Sequence, residues 1–170
     1  LIPQGLPANL DRAFALGTTD PSISSRLARA LFKPSANGPL DFGTSAGTLS
    51  FQYTDESGLN ARKTFHFQPD GKPYLLTVEA AIDVNSTSLP VVLKFGPALR
   101  SGEAIGGSQH VKARGLLFRQ GEVERIAAAT LIEQPRHEGE LGFAGVEEQY
   151  FLTGALPPPA QSIRVDYEPL

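Results

Sequence analysis

The chain has no cysteine and no methionine among its 170 residues. Without cysteine there are no disulfides, no thiolate nucleophile and no thiolate metal ligand. That fits an oxidising compartment without arguing for one. Without methionine, Leu1 follows no initiator, and the chain reads as an excised or processed piece of a longer protein. There is also no apolar run of about 18 residues, so nothing here reads as a bilayer span. The opening Leu1-Ile2-Pro3-Gln4-Gly5 lacks the basic start and apolar core of a signal peptide. Charge is scarce and balanced, with 19% charged residues and a net charge of -3. This offers no basic face for phosphate backbones, and no nucleic-acid partner is expected. An apolar content of 41% is that of an ordinary globular chain with enough material for a core.

Prolines and turn residues punctuate the first 46 positions, which read as an irregular segment packing on a sandwich formed by the remainder of the chain. Within it Arg12-Ala13-Phe14-Ala15-Leu16 suits a short strand. Ile23, Leu27 and Leu31 recur every four residues, which predicts one or two helical turns over residues 22–32.

From Thr48 the period becomes two. Leu49, Phe51 and Tyr53 alternate with Ser50, Gln52 and Thr54; after a turn at Asp55-Glu56-Ser57-Gly58, Ala61, Lys63, Phe65 and Phe67 alternate with Arg62, Thr64 and His66. The pair predicts a hairpin. Tyr74, Leu76, Val78, Ala80, Ile82 and Val84 share a side of the longest alternating run. Asn85-Ser86-Thr87-Ser88 then turns the chain into residues 89–95 as its antiparallel partner. Residues 97–109 read as a glycine-rich loop. Residues 111–118 and 122–132 read as two strands joined by Arg119-Gln120-Gly121, residues 143–156 as one or two more, and 161–168 as the last. Many short strands between turn signals predict an all-β antiparallel sandwich over residues 47–170, one domain overall, with short helical turns near its N-terminus. Phe51, Phe65, Phe67, Phe95 and Phe118 are the expected inward aromatics.

No reactive constellation stands out. His66, His110 and His137 lie far apart, without a second ligand at metal spacing. They read as solvent-facing or loop histidines, and no metal or cofactor is expected. Glu133, Glu138, Glu140, Glu147 and Glu148 read as a solvated acidic loop; neighbours on a strand face opposite ways, which suits a two-carboxylate cleft poorly. Serines are plentiful, but there is no Gly-x-Ser-x-Gly elbow, and the glycines of residues 102–107 lack a phosphate-loop frame.

The most distinctive stretch is Gly142-Phe143-Ala144-Gly145-Val146-Glu147-Glu148-Gln149-Tyr150-Phe151-Leu152-Thr153-Gly154-Ala155-Leu156-Pro157. Its Phe143, Gly145, Gln149, Tyr150, Phe151 and Pro157 resemble the signature of the periplasmic domain of YidC-type membrane protein insertases. Lys63-Thr64-Phe65-His66-Phe67 after Gly58 resembles the same family's hairpin, and Tyr74-Leu75-Leu76-Thr77-Val78 its next strand. The likeness runs over residues 49–158.

It implies a β-supersandwich of mutarotase-like shape whose signature residues are mainly structural. It also implies a non-enzymatic domain on the periplasmic side of the bacterial inner membrane, aiding insertion and folding through protein contacts. Its expected partners are nascent membrane proteins and components of the Sec translocon, with membrane attachment through segments outside this chain. Set against the family, the chain is expected to be truncated at its C-terminus. The alternative is a carbohydrate-binding or mutarotase-like sandwich, which needs a histidine and a glutamate meeting in a cleft lined by aromatics.

Overall fold

The computed structural model describes residues 13–38, 40–42, 45–68, 75–95, 113–147 and 152–168. They fall into two compact units, Asp11–Gly96 and Pro97–Leu170. Both are antiparallel and predominantly β, as the alternating patterns predict.

In the Asp11–Gly96 unit, β1 (Ala15–Gly17) leads into α1 (Pro21–Arg29). The strands β2 (Lys33–Pro34), β3 (Gly47–Thr54), β4 (Leu59–Phe67), β5 (Leu76–Val84), β6 (Thr87–Leu89) and β7 (Val92–Lys94) come next. Five of them form one sheet in the order β2-β3-β4-β5-β6, while β1 pairs with β7. The side chains that share a period-two face form the core: Leu59, Ala61 and Ile82 are buried together with Leu16 of β1 and Leu27 of α1. Burying Leu59 or Ile82 completely stabilises the fold by roughly 1.5 to 3 kcal/mol each.

The hairpin of β3 and β4 pairs Gly47 with Phe67 through to Thr54 with Asn60, the register that the alternation implies. At its turn Gly58 adopts φ +78, and a Cβ there would sit 2.0 Å from Asn85 Oδ1. Of the expected turn Asn85-Ser86-Thr87-Ser88, Asn85 and Ser86 make the turn, both at positive φ as suits the twist of a two-residue hairpin, while Thr87 and Ser88 already belong to the next strand.

Three expectations change in this unit. Asp20 caps α1, accepting from the Ser22 and Ile23 amides, but the chain becomes extended at Ala30. Leu31 therefore leaves the helical stripe and stands 92% exposed. Residues 89–95 are not one partner of β5. Pro90 has no N–H to continue a ladder, so β6 ends on β5 at Leu89 and β7 crosses to β1. Phe95, just past β7, is exposed rather than inward.

In the Pro97–Leu170 unit, β8 (Arg114–Arg119) and β9 (Glu122–Ala127) form a hairpin closed by Gln120 and Gly121 at positive φ. Then come α2 (Ala128–Glu133), β10 (Arg136–Glu140), β11 (Phe143–Glu147), β12 (Leu152–Ala155) and β13 (Ser162–Asp166). One sheet runs β12-β11-β8-β9 and a second pairs β10 with β13. The core between them joins Leu117, Ile126, Leu141 and Ala144 to Ile163, Val165 and Tyr167, one sheet packed on another.

The expected long strand over residues 122–132 stops at Ala127. The alanines beyond it favour helix, and Leu131 turns back onto the core. The acidic stretch expected as a loop contains β10. Its charges pair across the ladder, with Glu138 opposite Arg164 and Arg136 opposite Asp166. Phe118 is 37% exposed, on the sheet face away from Leu117.

Candidate functional site

The two resembling motifs fall in different units. In the first, the hairpin residues Lys63, Thr64, Phe65 and Phe67 all lie on β4. Phe65 is buried and meets Phe14 edge-on at 5.2 Å and Phe51 at 5.9 Å. Phe67 stacks on Phe42 at 4.9 Å. On the opposite face Thr64 is buried, its hydroxyl 3.1 Å from that of Ser50.

Lys63 shares the aromatic face. Its ammonium donates to the carbonyl of Phe14 at 2.9 Å and stands 5.1 Å from the centre of the Phe32 ring and 5.7 Å from that of Phe51. Phe14 sits at φ +61, a backbone conformation that non-glycine residues rarely adopt. Burial pushes the Lys63 ammonium below its ordinary value. A desolvated amine of this kind is the starting point for Schiff-base chemistry elsewhere. Here it is committed to a backbone oxygen and two ring faces, so the geometry makes it a tether between β4 and the chain entering β1.

At the end of the same hairpin, Arg26 of α1 pairs with Asp55 and donates to the Ser57 hydroxyl at 2.5 Å, while the Tyr53 hydroxyl donates to Asp55 at 3.0 Å. The Ser57 hydroxyl, joined by Arg26 and Tyr53, holds the Asp55 carboxyl well below the usual carboxylate range. The same hydrogen bond raises Tyr53.

In the second unit, Phe143 and Gly145 lie on one face of β11, and Gly145 pairs with Gly154 of β12. A Cβ on Gly154 would come within 2.5 Å of the Phe143 ring, and one on Gly145 within 2.4 Å of the Thr153 carbonyl. The ring thus covers a glycine pair that leaves no room for a side chain. Beyond β12, Pro157 is half-buried. Gln149, Tyr150 and Phe151 lie outside the described residues, as do Tyr74, His110, Glu148 and the glycine-rich loop.

Tyr167, past β13, donates to the Leu116 carbonyl at 2.7 Å and the Gly145 carbonyl at 3.2 Å, fixing one sheet to the other. Burial pushes its phenol up to about 12. On the sheet's other face Glu147 accepts from Arg125 at 3.0 Å. The ladder also aligns Phe143, Phe118 and Val123 in one row across three strands. Leu156, next after the last residue of β12, is 66% exposed.

Two of the three histidines, His66 and His137, differ from the solvent or loop positions expected of them. His66 and His137 lie on β4 and β10, both half-buried. His66 Nε2 stands 3.4 Å from Glu79 and has no hydrogen-bond partner among the described residues. That pair lies on the sheet face opposite Lys63 and Phe65, the face that also holds buried Thr64, and the Nε2 atom itself is buried. His137 packs edge-on to Tyr167. Among the described residues no group of three His, Asp or Glu side chains could hold a metal ion.

Pattern reading missed three links. The Lys63–Phe14 contact joins residues 49 apart in sequence, and no local period announces it. The covered glycine pair was visible in part as Phe143-x-Gly145, whose spacing of two puts both on one strand face. The anchoring by Tyr167 depends on a packing between sheets that alternation does not specify.

No curated protein and no solved structure gives a match to the chain. The family model of the YidC periplasmic domain, however, matches residues 10–168, a span that takes in both motifs and every described element. The chain belongs to the YidC periplasmic domain family.

Proposed function

We propose that this chain serves an inner-membrane protein insertase from the periplasmic side, helping membrane proteins to insert and fold through protein contacts and without bond-making chemistry. The observation that carries the proposal is the family match over nearly the whole chain. The polar groups support it. The lowered amine of Lys63 is tied to a carbonyl, and the one imidazole found near a carboxylate among the described residues lies on a sheet face.

The signature residues are read as structural. Phe143 and Gly145 shape the β11–β12 pairing, and Lys63, Thr64, Phe65 and Phe67 build the β4 packing. Contact with clients is assigned to the apolar row of Phe118 and Val123, the latter 52% exposed, beside the outer edge of β9. Sec components are the second class of partner in this reading, and the membrane anchor lies in segments outside the chain.

The test places this domain in a full-length insertase. Phe118→Asp with Val123→Asp is expected to lower insertion of a client that depends on the domain, while His66→Ala with Glu79→Ala leaves it intact. Loss of insertion on the second pair, with the first pair silent, refutes the proposal.

A further inference from the structure

The chain carries a net charge of -3, yet residues 21–40 contain Arg26, Arg29 and Lys33 and no acid at all. All three of these cations are exposed. Arg26 and Arg29 lie in the last turn of α1. There they favour the negative end of the helix, which accounts for them structurally. Arg26 is further occupied by Asp55. Neither explanation covers Leu31, Lys33 and the outward course of Arg29.

The chain leaves the helix extended, so Phe32 turns inward against Tyr53 and Lys63 while Leu31 and Lys33 turn out. Leu31 is 92% exposed, the most exposed large apolar side chain among the described residues. Arg29 and Lys33 make no ion pair among the described residues. The result is a projecting leucine set between two cations that no described acid neutralises. Beside it lies a shallow cavity of about 420 Å3 lined by Ser25, Arg26, Arg29, Ala30, Leu31 and Tyr53.

We propose that this surface docks on an anionic phospholipid bilayer, with headgroup phosphates against Arg29 and Lys33 and Leu31 seated among the acyl chains. Charge complementarity selects the occupant. Cations flanking a protruding apolar side chain match a layer that is anionic at its surface and apolar just beneath. An acidic peptide would satisfy the cations, but it would leave the fully projecting leucine without a pocket. Because the chain as a whole is acidic, attraction to an anionic layer has to come from a local excess of cations such as this one, which would impose an orientation. A single apolar anchor and two charges make the contact weak and reversible. The inference goes beyond the insertase reading and rests on neither its clients nor its partners.

The test is co-sedimentation of the full chain with vesicles of phosphatidylglycerol and phosphatidylcholine at low ionic strength, against vesicles of phosphatidylcholine alone. Binding is expected only to the anionic vesicles and is expected to fall as salt shortens the Debye length to about 8 Å. Arg29→Glu with Lys33→Glu should weaken it about tenfold or more. Leu31→Ser should weaken it about threefold. All three positions are exposed, and circular dichroism should report an unchanged fold.

Four results overturn the proposal: no binding to anionic vesicles, equal binding by the variants, competition by free glycerol phosphate showing a soluble-anion site, or tighter binding of an acidic leucine-containing peptide. Insertion assays read the insertase proposal separately, so either can fail alone.

Discussion

The two units reach similar sheet-based cores by different means. The Asp11–Gly96 unit places a lysine inside its aromatic face and uses it to hold a strained residue 49 positions away. The Pro97–Leu170 unit uses absence of side chains: paired glycines let β11 and β12 approach under Phe143, and a tyrosine clamps the second sheet. The first solution leaves a charge only partly solvated. The second leaves no space to mutate into. Each has its own weak point.

The largest expected effect is at the glycine pair. Gly145→Val would drive its branches into the Thr153 carbonyl, and we expect a loss of about 3 kcal/mol, read by denaturant unfolding. A loss under about 1 kcal/mol would show that the strands separate easily and that the comparison is wrong on this side.

Next comes the lysine. Lys63→Ala removes the stem that packs between rings and leaves the Phe14 carbonyl without its ammonium donor. About 2 kcal/mol should be lost, and Lys63→Met should restore roughly half by refilling the apolar volume. Amide exchange in residues 15–17 should accelerate in both variants.

Alkaline titration sharpens the contrast because the two groups shift in opposite directions. Lys63 has a folded pKa below its ordinary 10.5, so the unfolded chain binds more protons there and stability rises with pH up to that value. Tyr167 is raised from 10.0 to about 12, so the folded chain holds its proton longer; that stability is present below pH 10 and is lost as pH rises towards 12. Lys63→Met should remove the rise and Tyr167→Phe the fall, at a cost of about 1 kcal/mol near neutral pH for the lost hydroxyl. Calorimetry from pH 8 up to about 12 checks both, and unchanged profiles would contradict the buried placement of these groups.

The smallest effect belongs to Arg125→Ala. Its partnership with Glu147 is half exposed, so a change below about 1 kcal/mol is expected.

Alternation along residues 48–67 and 76–84 made the central hairpin and its neighbour readable, because one face of that sheet is buried and period two must show. The same rule failed at residues 128–132, where alanine propensity and one inward leucine decided for a helix. It failed again at β10, whose acidic residues form a strand only because β13 supplies both apolar cover and opposite charge. The family motifs were legible as strings, yet their reason was not. That Phe143 covers two glycines and that Lys63 reaches a carbonyl are facts of packing between distant segments.

Site-specific photo-crosslinking from Val123 in a full-length insertase carrying this domain tests the central claim most directly. The account expects adducts with a nascent inner-membrane protein during its insertion, and none from Thr48 on the polar face of the other unit. Adducts from Thr48 with none from Val123, or no client adduct from either, would contradict a domain that works by presenting its apolar surface.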